Sequence, residues 1–310
     1  MAVVGLHTLQ KDLSIINSSL YYLCGFAVPA FFMSNGYITL NRSDIDARYS
    51  VKKVINILRI ALCWSGIVFC GQVIYEIAHR HATVELLFQL PMTFIKGFVQ
   101  KGYLWHFWFL GALIIVYFML PFLVRHIGEL SHIWFVLICI GLVFQVISYC
   151  LGMPVQRYCI QTFRVWTWLQ YFVLGGLIGK KARKKSWVFL IFVTVWIVVF
   201  QNIASRFLIH DLHAEYFYDS IFTVIWLILI FTFCGNINLT REQSAVIKKI
   251  APLTMGIYIV HPIALKLVGI FIEADTIMNS ILFFAIVLAT STLIVYVIVR
   301  IPVVNKLVKL

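Results

Sequence analysis

The sequence predicts an all-α fold, a polytopic bundle of about ten transmembrane helices, and three observations lead there. Of 310 residues, 62% are apolar and only 12% charged, and the charges gather in short clusters between long apolar runs. A hydrocarbon core of about 30 Å takes about 20 apolar residues per helical crossing, which these runs supply repeatedly. The runs are continuously apolar rather than alternating, which excludes a barrel, the other architecture that satisfies backbone groups without water. No stretch between them is long enough to bury a core of its own, so residues 1–310 read as a single membrane domain.

The first run, 1–8, is short. From Met1 to His7 a helix rises only about 10 Å at ~1.5 Å per residue, so this helix is expected to lack its cytoplasmic half. The second run, 20–41, contains Pro29 and a Gly36 suited to close helix approach. The third, 54–78, follows Lys52 and Lys53 and carries Arg59 inside it. Residues 79–103 form the longest connection, whose apolar patch (Leu86, Leu87, Phe88, Leu90, Pro91, Met92) is read as interfacial. The fourth run, 104–124, opens on Trp105, His106 and Trp108, at the level of an aromatic belt. Runs 132–152, 163–179, 186–207 and 218–236 follow, then 252–272 with His261 and Pro262 inside it, and finally 279–300.

A net charge of +13 could suggest a nucleic-acid partner, but the charges follow topology instead. With the N-terminus inside, the cytoplasmic connections hold Arg42, Arg48, Lys52 and Lys53, then Arg125, then the cluster from Lys180 to Lys185, then Arg241, Lys248 and Lys249. Arg300, Lys306 and Lys309 follow in the tail, while Asp211, Glu215, Asp219, Glu273 and Asp275 fall outside. This is the positive-inside pattern of an even number of crossings with both termini in the cytoplasm, and the Lys180 cluster reads as a topogenic, headgroup-binding one.

The seven cysteines offer no disulfide framework. Most lie in apolar runs as small hydrophobes, and only Cys150 and Cys159 flank an outer loop where they could meet. No metal-ligand spacing, P-loop, dinucleotide fingerprint or GxSxG elbow occurs, and no cleavable signal precedes the first run. Ionisable residues inside the spans then carry the functional information, because each is costly there unless paired, wet or useful. Four stand out: His7, Arg59, His106 and His261.

The local strings around them carry a resemblance. VPAFFMSNGY, residues 28–37, resembles the "VPLFFxxSGY" segment of the bacterial acyltransferase-3 family of integral membrane acyltransferases. Lys52 and Lys53 followed by Arg59 look like that family's basic approach to its third helix. HFWFL at 106–110, with Tyr117 and Pro121 behind it, is similar to the "HLWFL...Y...P" helix, and MGIYIVHP at 255–262 resembles "sxgIYLxHp". Phe172 with Gly175 and Gly176 is a fainter echo of "yFxlG".

The resemblance implies transfer of an acyl group, usually acetyl, from cytoplasmic acyl-CoA to a hydroxyl of an envelope carbohydrate such as O-antigen, capsule or exopolysaccharide. The location it implies is the bacterial inner membrane. The partners would be the bilayer, acetyl-CoA as a co-substrate with no bound cofactor, and a carbohydrate acceptor that is free or lipid-linked. His7 matches the histidine of the family's Arg-or-Glu, ten residues, His motif, while the charged partner's position falls before Met1, so translation is expected to start upstream. Histidine, with an ordinary pKa near 6.5, is a natural base for a sugar hydroxyl. Lys52, Lys53 and Arg59 suit the phosphates of coenzyme A, although Asn56 stands where the family often shows a second arginine.

Ser34 and Asn35 replace an apolar residue and a serine of the family pattern and join Trp108 and Tyr258 as site-lining candidates. Structural and acceptor-binding roles both fit His106, and His261 serves either site lining or packing beside Pro262, which frees a carbonyl one turn earlier. Trp105, Trp166, Trp168, Tyr216 and Tyr218 are the aromatic candidates for sugar recognition. Two other readings remain: a transporter or flippase of lipid-linked glycan, and a catalytically inactive family member.

Overall fold

The computed structural model describes residues 1–43, 45–78, 89–178, 186–302 and 304–308. The Lys180 to Lys185 cluster, Leu86, Leu87, Phe88 and Lys309 lie outside the described residues, as does the side chain of Leu90. Among the described residues every regular element is helical.

α1 (Ala2–Thr8) precedes α2 (Ile15–Leu23), which begins where the Ser14 hydroxyl accepts the Asn17 amide. The second run is thus broken, since a 3-10 turn at Cys24–Phe26 joins α2 to α3 (Ala27–Leu40). Pro29 has no amide hydrogen to give the Gly25 carbonyl four residues back, and it is tolerated in the first turn of a new helix. α4 (Ala47–Ala78) starts earlier than its apolar run because Arg48, Lys52 and Lys53 extend it. α5 (Gln89–Phe98), inside the long connection, packs on α4, α6 and the 3-10 turn before α6.

That turn, Trp105–Phe107, leads into α6 (Trp108–Arg125). α7 (Leu130–Leu151) ends at Gly152, whose positive φ of 66° closes the helix in the left-handed form that glycine adopts freely. Next come α8 (Val165–Ile178), α9 (Trp187–Phe207) and α10 (Ile221–Gly235). α11 (Arg241–Ile250) opens with a capping box between Thr240 and Gln243 and leads to α12 (Thr254–Val268), and α13 (Ile277–Arg300) is capped by Thr276.

Among the described residues, seven helical runs are long and apolar enough to cross a membrane: Ile15–Leu40, Ala47–Ala78, Trp105–Arg125, Ile127–Leu151, Trp187–Phe207, Arg241–Val268 and Ile277–Arg300. α8 and α10 are apolar but shorter, and α1 is shorter still, so length and composition alone do not give ten. The molecule is a multi-pass helix bundle.

α8 forms its centre, with every residue from Thr167 to Gly175 buried. Its closest neighbour is α3, because both lack a Cβ where their backbones meet: at Gly36 it would overlap the Phe172 carbonyl, and at Gly175 the Met33 carbonyl. α6 and α7 also pack on α8, α12 packs on α13, and α1 lies against α12, α13 and the turn at Cys24. Cys150 and Cys159 are free thiols.

Candidate active site

The three intramembrane histidines come from three distant segments and meet. His7, on the last turn of α1, is held edge-on to Trp105 (4.7 Å between ring centroids) and stacked on His261 (5.2 Å, 17° between planes). The His106 ring lies 5.5 Å from His261 and 5.4 Å from Tyr258. α1 reaches this position because Gly5 lets it sit against the Cys24 side chain.

The proline on α12 explains the local chemistry. Pro262 has no amide hydrogen for the Tyr258 carbonyl, and the His261 Nδ1–H donates to that carbonyl at 2.6 Å. A carbonyl only accepts, so this bond assigns the tautomer and leaves His261 Nε2 as a lone pair, with no hydrogen-bond partner among the described residues. His106 is arranged the same way: Nε2–H donates to the Ile259 carbonyl at 3.1 Å, and Nδ1 is unpaired among the described residues. The Tyr258 hydroxyl in turn donates to the His106 carbonyl, which ties the start of α6 to α12. Tyr258→Phe removes that donor from a buried carbonyl, and a stability loss of about 1 kcal/mol is expected, read as a lower melting temperature in nanodiscs.

Three cavities adjoin one another in this region. The first, about 680 Å³, is lined by His7, His106, Trp105, Trp108, Tyr258 and a group of polar loop residues. The second, about 330 Å³, is almost wholly apolar, with Phe31, Phe109 and Ile257 in its wall, and shares Val3, Val28 and Tyr258 with the first. The third, about 380 Å³, shares Phe31 with the second and is lined by Asn35, Tyr49, Lys53 and Tyr117. His7 thus stands on the polar side of an apolar cavity, which borders across Phe31 the cavity lined by Tyr49 and Lys53 near the basic start of α4.

The polar loop residues of the first cavity include Lys11, Gln100, Gln161, Glu215, Tyr216 and Tyr218. Gln100 takes a left-handed backbone (φ 59°), uncommon for a residue with a side chain, and its Oε1 accepts the Gln161 amide at 3.0 Å. The Glu215 carboxylate is bound by the Gln161 side-chain amide and by Arg164 at 3.3 Å, and the Arg164 guanidinium sits 5.4 Å over the Tyr216 ring. Burial lowers the Lys11 ammonium from its ordinary value, while Asp211, Asp12 and Glu215 pull it back. Burial pushes the Tyr216 hydroxyl up to about 12. Burial works to raise the Asp211 carboxyl, but the His213 hydrogen bonds outweigh it and hold the group below its usual value.

The other sequence candidates divide. Lys53 and Asn35 line the third cavity, and Asn35 Oδ1 accepts the Tyr117 hydroxyl at 3.2 Å. Lys52 is exposed and outside that lining, as is Arg59, whose guanidinium bonds the Asn56 amide oxygen. Ser34 gives its hydroxyl to the Ala30 carbonyl at 2.8 Å. Of the aromatic candidates for sugar recognition, Trp105, Tyr216 and Tyr218 line the first cavity. Trp166 instead donates to Asp219 at 3.3 Å, and Trp168 is a core residue stacked on Phe32 that donates to the Gln161 carbonyl. Among the described residues no three His, Cys, Asp or Glu side chains are arranged to hold a metal ion.

Sequence reasoning missed Lys11, Gln100 and Gln161, and read Glu215 only as an outer loop charge. No spacing links these positions, and the left-handed residue at Gln100 is not itself a glycine, although Gly102 just after it is also left-handed (φ 72°).

A family model described as an acyltransferase domain matches residues 1–300. No curated protein and no solved structure matches the chain.

Proposed function

This chain belongs to the acyltransferase-3 family, and from that premise we propose that it moves an acetyl or similar acyl group from cytoplasmic acyl-CoA to a hydroxyl of an envelope carbohydrate. The observation that carries this reading is the position of His7 where an apolar cavity meets a polar, aromatic-lined vestibule. A two-substrate transfer between compartments needs such a junction, with each substrate arriving from its own side.

In this reading the phosphates of the donor dock near Lys53, and the pantetheine arm passes Phe31 toward His7. The vestibule suits a carbohydrate: Trp105, Tyr216 and Tyr218 offer ring faces, while Gln100 and Gln161 offer planar amides. An acceptor hydroxyl gives its proton to a ring nitrogen of His7 as its oxygen bonds to the thioester carbonyl carbon. The C–S bond breaks, and the leaving thiolate takes the proton back from His7, giving an ester and free coenzyme A thiol. His7 works here as a general base rather than as an acyl carrier.

The test is incorporation of labelled acetyl from acetyl-CoA into envelope glycan by membranes carrying the chain. Lys53→Ala is expected to raise the KM for acetyl-CoA about tenfold, the equivalent of about 1.4 kcal/mol, with kcat little changed. An unchanged KM would remove Lys53 from the donor site. Adjoining cavities would also serve a transporter or flippase, and that reading gains if glycan crosses proteoliposome membranes without acyl-CoA. Neither transfer nor transport would mark an inactive family member.

A further inference from the structure

A histidine that acts as a base must be held in one orientation, and in many sites a carboxylate bonded to its second nitrogen does this. Here, among the described residues, no hydrogen bond holds either nitrogen of His7, and its ring is fixed by the Trp105 ring, which stands 83° from its plane, and by the His261 face. We propose that His261 is the positioning residue of His7, setting the plane of the base by ring stacking in place of a carboxylate. The proposal rests on the transferase reading for its kinetic arm only.

Three observations support the assignment. His261 is 0% exposed and lies outside the cavity linings, so it acts through a neighbour and not on substrate. Its own orientation is fixed independently, because the carbonyl released by Pro262 binds its Nδ1–H at 2.6 Å. A bond from one helical turn below leaves the ring little freedom about χ2, and the 17° stack passes that orientation to His7. The near-parallel planes also argue against direct proton exchange, since hydrogen bonds of imidazole leave in the ring plane.

The unpaired Nε2 fits the same role. A buried polar atom without a partner is costly and calls for a reason. Keeping that nitrogen away from any donor keeps the ring neutral and its face electron-rich. When His7 takes up the acceptor proton it becomes a cation above that face, an arrangement favourable in the way of cation–π contacts.

The experiment compares His261→Phe, His261→Leu and His261→Ala in nanodiscs. Phe keeps a ring face, Leu fills the core without one, and Ala does neither. For acetyl transfer, Phe is expected within about threefold of wild type, with Leu and Ala at least tenfold lower in kcat and unchanged in both KM values. The second readout needs no reaction: the rate at which diethylpyrocarbonate modifies His7, followed by mass spectrometry without substrates. A freed ring meets the reagent more often, so the rate is expected to rise severalfold in Leu and Ala and to stay unchanged in Phe. Equal behaviour of Leu and Phe in both readouts would reduce His261 to core filling and overturn the proposal, as would a Phe variant as impaired as Ala. If the wild type transfers nothing, the transferase reading fails, and the modification rates still decide whether His261 holds His7.

Discussion

His7→Ala is expected to lower acyl transfer about a thousandfold, in the middle of the 10²–10⁴ range of general acid–base contributions, while the protein still inserts and folds. The effect is large because, at the junction, the free ring nitrogens of the two neighbouring histidines, Nε2 of His261 and Nδ1 of His106, are buried from the cavity. His261 is sealed beneath it with Nδ1–H committed to the Tyr258 carbonyl, and His106 is tied through Nε2–H to the Ile259 carbonyl. The fold survives because His7 is only half-buried, beside an existing cavity, and α1 is a short helix at the edge of the larger core. Labelled acetyl transfer together with the melting temperature separates the two effects. His7→Gln, which keeps a planar polar side chain without a base, should be nearly as inactive, and substantial transfer by either variant would dismiss His7 as the base.

The largest effect on stability is expected at the contact between α3 and α8. Ala at Gly36 would press its Cβ into the Phe172 carbonyl, and Ala at Gly175 would press into the Met33 carbonyl. Backbone cannot rotate away as a side chain can, so the helices must separate. Each substitution is expected to cost about 3 kcal/mol, the upper end of what overpacking does. The double substitution should cost less than the sum, since the first already parts the pair. Gly66 and Gly71 on α4 are the internal control, because nothing stands within 4 Å of either added Cβ. Ala there should be neutral or stabilising by about 0.5–1 kcal/mol through helix preference. Melting curves of the four single variants test this directly, and equal losses at all four glycines would refute the packing argument. Because α3 also carries Val28, Phe31 and Asn35 of the cavity walls, separation should reduce transfer even where the protein persists.

Much of the bundle is legible in the sequence because a lipid environment reduces folding to length and apolarity. A continuous run of about 20 such residues has few alternatives to a helix. His7, His106, Tyr258 and His261 are also legible, since polar groups at membrane depth are rare enough to notice singly. The structure adds their convergence, which no pairwise spacing announces across some 250 positions of sequence. The break at Cys24–Phe26 was hidden because the run stays apolar across it, although Pro29 is its cause. Arg59 and Lys53 look equivalent as cations near a helix start. Only the rotation of α4 separates them, turning Lys53 to the cavity and leaving Arg59 exposed with Asn56. Trp166 and Trp168 show the same limit for aromatics. Their composition suits a sugar platform, and their neighbours Asp219 and Phe32 make them structural.

The two short helices have a consequence for where water ends. With 14 and 15 residues, α8 and α10 rise about 21–22 Å at ~1.5 Å per residue, against a hydrocarbon thickness of about 30 Å. The chain just before each, at Gln161 and at Glu215 to Tyr218, walls the vestibule. Among the described residues the missing turn and a half or so of helix is taken up by polar chain, which membranes tolerate only where it is buried in protein or lines a wet cavity, as these residues do in lining the first cavity. The solvent boundary on that side is drawn inward by about 8 Å, so the hydrated acceptor of the proposed transfer can approach His7 without first being stripped for passage through oil.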